Sequence, residues 1–201
     1  EMQRSLVGSE MCIRDSIRAV ENEILSSKIC RCFDCRQVLY EESMFDGQKV
    51  SKSRIITSVD YSMVSMEAFE IYATNHDIHV MDFVLKLDAY SYYMMNLLDY
   101  LIGNTDRHWG NWGFLVDNRT NQPVRLFDLM DLNQTFLAYD TPDGANCMTT
   151  GNRKMSQREA AVEAVKNIGL NQKDEIKDEW FKGREKEREM FWCRFGILKE
   201  Q

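Results

Sequence analysis

"IGNTDRHWGNWGFLVDNRTNQPVRLFDLMDLNQTF", residues 102–136, is the stretch on which the reading of the fold turns. Asp106, His108 and Asn111 stand in one short loop directly after a densely apolar segment. Two short apolar runs flank the turn-rich "DNRTNQP", a pattern that predicts a strand hairpin. A hairpin returns its end close to its start, so Asn111 and one of Asp128 or Asp131 should face the same point, with Asp106 beside them. An Asn and an Asp side by side suit a hard divalent cation. Mg²⁺ takes one or two carboxylates and completes its shell with phosphate oxygens and water. Phosphoryl transfer needs that cation and a separate Asp to accept the proton of the attacking hydroxyl. The order D-x-H-x-x-N, hairpin, D supplies these parts.

Upstream of the loop, Phe83, Val84, Leu87, Tyr90, Met94, Leu97, Leu98 and Leu101 follow helical spacing. This predicts a long, largely buried helix over 80–102, stopped by Gly103-Asn104. A helix is expected near 65–74. Asp46-Gly47 signals a hairpin, with strands expected near 36–41 and 50–58. Val20, Ile24, Ile29 and Phe33 among charged residues predict an amphipathic helix over 18–33. Downstream, Ser156 and Glu159 form a capping box that opens a helix ending at Gly169. A last, heavily charged helix is expected over 174–198, with "KGREKERE" as a solvated face and Trp180, Phe181 and Phe191 buried.

Composition narrows the function. The chain has 201 residues and net charge −7, so a nucleic-acid footprint is not expected. No apolar run reaches the ~18 residues of a membrane span. Cys30, Cys32 and Cys35 cluster without a nearby His or a second cysteine pair, which favours small buried thiols over a metal site.

The N-terminal run "SLVGSEMCIRDS", Ser5–Ser16, fits neither helical nor strand periodicity. Leu6–Asp15 can be written CTC GTG GGC TCG GAG ATG TGT ATA AGA GAC, which resembles a transposase adapter used to prepare DNA for sequencing. Residues 1–16 are therefore expected to be artefactual and without structure, and the natural chain visible here to begin near Ile17.

"GNTDRHWGN" followed by "MDLNQ" resembles the HipA-like kinases, closest to small HipA-like C-terminal domain proteins of bacteria, and more distantly the D-R-H-x-x-N loop of the phosphoinositide kinases. The resemblance covers most of the chain after residue 17. It implies an α+β, protein-kinase-like (HipA-like) fold: a partial N-lobe over 17–60 and a mostly helical C-lobe with a catalytic hairpin over 61–201. It implies an ATP- and Mg²⁺-dependent phosphotransferase in the cytoplasm, acting on Ser or Thr of a protein. The alternatives are a non-catalytic nucleotide- or partner-binding module and a small-molecule or lipid kinase. Its partners would be a protein or small-molecule hydroxyl acceptor and a regulatory protein.

Carried over by residue, Asp106 looks like the catalytic base and His108 like a brace of its loop. Asn111 and Asp131 look like the Mg²⁺ ligands. Asp131 is preferred to Asp128 because "LNQTF" continues the family pattern. Glu21 or Glu23, with Glu23 preferred, looks like the partner of an ATP-anchoring Lys. That Lys should precede the helix, yet the first lysine is Lys28. The resemblance therefore implies a truncated N-lobe and an inactive fragment, with its Glu unpaired.

Overall fold

The computed structural model describes residues 9–12, 17–137, 139–151 and 154–201. A first antiparallel sheet holds β1 (Ser9–Cys12), β2 (Tyr40–Phe45) and β3 (Gln48–Arg54) in the order β1-β3-β2. A second holds β4 (Tyr61–Ser65), β5 (Gly113–Asp117) and β6 (Gln122–Leu126), with β5 central. The helices are α1 (Ile17–Cys30), α2 (Met66–Asn75), α3 (Val80–Ile102), α4 (Gln157–Ile168) and α5 (Glu185–Lys199). The mixed α+β class is as expected. Among the described residues no helix is long and apolar enough to cross a membrane.

α3 is the axis of the larger body. Its Leu97, Leu98, Leu101 and Ile102 are fully buried among Phe114, Ala161, Phe191 and Leu198 of β5, α4 and α5. Burying each such side chain contributes roughly 1.5–3 kcal/mol. Gly103 closes the helix in the left-handed conformation, and its N–H returns to the carbonyls of Asp99 and Tyr100. Asp88 interrupts the helix with non-helical backbone angles. Its carboxylate accepts from the N–H of Ser91, as an N-cap does for the second half of α3, and also from Leu126 N–H of β6 and the guanidinium of Arg36.

Several expectations need correction. The strand placed at 36–41 is displaced to Tyr40–Phe45, because the Asp46-Gly47 turn requires both strands to run up to it. Residues 36–38 instead run alongside Leu129, exchanging backbone hydrogen bonds with it. The second strand ends at Arg54 rather than 58, and β4 was not foreseen. The single helix over 174–198 is a 3-10 turn at Asp178–Phe181 followed by α5, separated at Lys182-Gly183. Within "KGREKERE", Arg184 is buried. Ser9–Cys12, expected to lack structure, pair antiparallel with β3; residues 1–8 and 13–16 lie outside the described residues. Strand pairing uses backbone groups, so the open edge of β3 takes up whatever chain passes it.

β4 and β5 approach so closely at Gly113 that a Cβ there would sit 2.1 Å from the Val64 carbonyl oxygen. By contrast, a Cβ at Gly196, inside α5, meets no atom within 4 Å. Gly113→Ala should therefore destabilise the protein by about 3 kcal/mol through overpacking. Gly196→Ala should stabilise it by about 0.5–1 kcal/mol through helix propensity. Urea denaturation of the two variants checks the opposite signs.

Candidate functional site

The loop Gly103–Trp112 folds back over the C-terminus of α3 and is held there by one buried ion pair. Asp99, on the last turns of α3, and Arg107, in the loop, are both almost inaccessible. Arg107 Nε and Nη2 donate to the two Asp99 oxygens at 2.8 and 3.1 Å, and Asn104 Nδ2 donates to the same carboxylate at 2.9 Å. Burial disfavours the Arg107 charge, but Asp99 outweighs it and holds the guanidinium above its ordinary range. The remaining fork nitrogen, Nη1, donates to the carbonyls of Asn111 at 2.8 Å and Met130 at 2.7 Å. A single nitrogen thus fastens the candidate loop to the residue before Asp131. Thr105 adds contacts from its N–H and hydroxyl to the Gln134 carbonyl, and Phe136 N–H donates to Ile102. Neither Asp99 nor Arg107 was singled out from the sequence; the available signal was a carboxylate eight residues before an Arg, on the apolar C-terminal half of the helix.

Inside the loop, Asn111 Nδ2 donates to the Asp106 carbonyl at 2.8 Å and to its carboxylate at 3.3 Å. This turns the amide so that Oδ1 points away from Asp106. The Asp106 N–H is held by Asn104 Oδ1 at 3.1 Å, and its side chain remains 42 % exposed. His108 Nδ1 accepts from Gly110 N–H at 3.0 Å, so the neutral ring carries its proton on Nε2, which stands 3.8 Å from Asp106. That separation exceeds a hydrogen bond, and the imidazole shapes the loop.

Asp131 and Asp128 differ in kind. Asp131 sits in the left-handed backbone region at φ 55°, with its N–H donated to the Tyr40 hydroxyl. Such strain persists only where surroundings enforce it, and it concentrates at working sites. Asp128 shares a cavity of about 390 Å³ with Asn111, but its carboxylate is held by Arg125 Nη1 at 2.5 Å. Among the described residues no group of three or more His, Cys, Asp or Glu side chains is arranged to hold a metal. Asn111 and Asp131 are two hard oxygen donors, a set that fits Mg²⁺ whose shell is completed by phosphate and water.

Glu23 is buried on α1, whereas Glu21 is half-exposed and pairs with Arg184. The expectation that Glu23 lacks a partner is corrected: the Ser51 hydroxyl donates to it from β3. α1 also reaches the segment after Asp131, since Asn22 donates to the Thr135 carbonyl at 2.6 Å and Ser26 meets the Thr135 hydroxyl at 2.8 Å. The buried Arg184 holds Asn22 Oδ1 at 2.8 Å. Of the cysteine cluster, Cys35 lines the cavity that holds Asn111 and Asp128. Cys30 and Cys32 are buried free thiols, and burial pushes Cys35 up to about 12, so none presents a thiolate near neutral pH.

Removing one member of the Asp99–Arg107 pair leaves a buried charge uncompensated. Arg107→Met or Asp99→Leu alone should cost about 3–5 kcal/mol, and the double variant should regain most of that loss. A double-mutant cycle by chemical denaturation measures the coupling. Additive losses would contradict the pairing.

No protein-family model matches this sequence, and no curated protein matches it. Solved structures do. The crystal structure of a Helicobacter pylori proinflammatory kinase, CtkA, is similar to this chain at a TM-score of 0.70 and 12 % sequence identity. The match covers 96 % of this chain and 84 % of that one. At that identity the likeness is one of architecture, and the chain has an α+β, kinase-like fold.

Proposed function

We propose that this chain is a HipA-like, ATP- and Mg²⁺-dependent phosphotransferase domain that moves the γ-phosphoryl group to a Ser or Thr hydroxyl of a protein. The observation that carries the reading is the joining of Asp106, Asn111 and the Asp131 segment through Arg107. In this reading Asp106, exposed at the loop, accepts the proton of the acceptor hydroxyl. The acceptor hydroxyl oxygen then bonds to the γ-phosphorus as the bond to ADP breaks. Asn111 Oδ1 and the Asp131 carboxylate would hold Mg²⁺, which would supply neutralisation of phosphate charge. His108 keeps the loop in shape, and Glu23 would orient a phosphate-anchoring lysine.

A second reading, a nucleotide- or partner-binding module without transfer, is favoured by the Glu23–Ser51 hydrogen bond, which engages the carboxylate that would pair with a phosphate-anchoring lysine. Both readings meet at one strand position. Cys12 is opposite Ser51 in the β1–β3 register. Opposed residues of an antiparallel pair share a face, so position 12 is the place to introduce a lysine as phosphate anchor.

Transfer of label from γ-labelled ATP to the protein itself and to a mixed protein substrate tests the reading. The chain as given is expected to transfer little, and Cys12→Lys to raise transfer about tenfold or more. Asp106→Asn in that background should lower it by about 10²–10⁴. Transfer that is indifferent to Asp106→Asn in every background would remove the phosphotransferase reading. Nucleotide binding without any transfer in Cys12→Lys would favour the module.

A further inference from the structure

A groove of about 600 Å³ lies between α2, the start of α3, α4 and the candidate loop. One wall is Trp109, three residues from Asp106 in the same loop. Its indole N–H donates to the Met148 carbonyl at 3.0 Å, and its own carbonyl accepts from Glu67 N–H of α2 at 3.0 Å. The groove is thus continuous with the loop that carries the candidate base. Glu70 of α2, Asp82 of α3 and Glu163 of α4 all line it, and among the described residues no Lys or Arg does. The one basic group is His79, whose Nδ1 lies 3.1 Å from Asp82. Tyr92 and Tyr93 join Trp109 as aromatic walls. Three carboxylates from three different helices therefore converge on one aromatic-walled concavity.

Resting on the phosphotransferase reading, we infer that this groove holds the acceptor: a peptide segment with Lys or Arg residues flanking the hydroxyl that is presented to Asp106. Clefts lined by one sign of charge focus the field and concentrate ligands of the opposite sign. Indole and phenol faces add attraction for a cation set against them, best for a guanidinium. A peptide in extended form spans about 3.3 Å per residue, so basic residues flanking the hydroxyl lie along the groove while the hydroxyl stays at the loop. An acidic segment would meet three like charges, which gives the groove its selectivity.

Two fluorescein-labelled dodecapeptides, one with a central Ser flanked by Arg and Lys and one flanked by Glu, serve as probes for anisotropy titration of the whole chain. The basic peptide should bind about tenfold or more tightly than the acidic one. The Glu70→Gln, Asp82→Asn, Glu163→Gln triple variant should abolish that preference. A control triple variant with the same charge change, Glu175→Gln, Glu179→Gln, Glu200→Gln, should keep it. Equal binding of the two peptides, or equal losses in both triple variants, would overturn the proposal. Calorimetric titration with Mg²⁺–ATP on the same samples separates the two readings. Selective peptide binding without nucleotide binding removes the phosphotransferase reading and leaves the groove a basic-peptide site. Nucleotide binding without peptide selectivity removes the groove alone.

Discussion

The arrangement of this protein around its candidate site depends on a buried guanidinium shared between a helix end and two passing strands of chain. Arg107 meets Asp99 with two nitrogens and the carbonyls of Asn111 and Met130 with the third. A lysine has no planar fork and could not serve three directions at once. Desolvating the pair is costly, and its attraction offsets that cost only because the Asp99 oxygens and Arg107 nitrogens are so fully engaged. The return for the fold is positional. Asn111 and Met130, the residue before Asp131, lie 19 residues apart around a hairpin, yet are fixed within reach of one atom.

A second polar network fastens the other half of the molecule to the same place. Arg184, Asn22, Ser26 and Thr135 link the start of α5, the inner face of α1 and the segment that follows Asp131. Because these groups are buried, each broken contact leaves a polar atom unsatisfied. α1, which carries Glu23, is therefore fixed to the segment that follows Asp131. Arg194 does similar work behind the loop, where it is buried against the carbonyls of Tyr100 and Thr141 and the rings of Tyr100 and Tyr139.

Much of this was legible in the sequence, for reasons that differ by residue. α3 and α4 announced themselves through strong periodicity with Gly103 and the Ser156–Glu159 box at their ends, signals that are local. The hairpin after Trp112 was equally local. The displaced strand at Tyr40–Phe45 was not: residues 36–38 have strand composition, but their backbone is taken up by Leu129, a tertiary partner that composition does not reveal. The break at Lys182-Gly183 was passed over because the charged run around it reads as one solvated face, although Arg184 turns inward to Asn22. In the site, the spacing of Asp106, His108 and Asn111 pointed to the loop, and "LNQTF" to Asp131; the Arg125 contact of Asp128 and the left-handed backbone of Asp131 could not be read there. Those are properties of the folded chain.

The central claim is that Asn111 and Asp131, set by Arg107, form a donor pair for a nucleotide-bound cation. Calorimetric titration of ATP in the presence and absence of Mg²⁺, into the parent chain, Asp131→Asn and Asp128→Asn, tests it most directly. The account predicts a Mg²⁺-dependent gain in affinity that Asp131→Asn abolishes and Asp128→Asn leaves in place. A gain that survives Asp131→Asn and disappears with Asp128→Asn would contradict it.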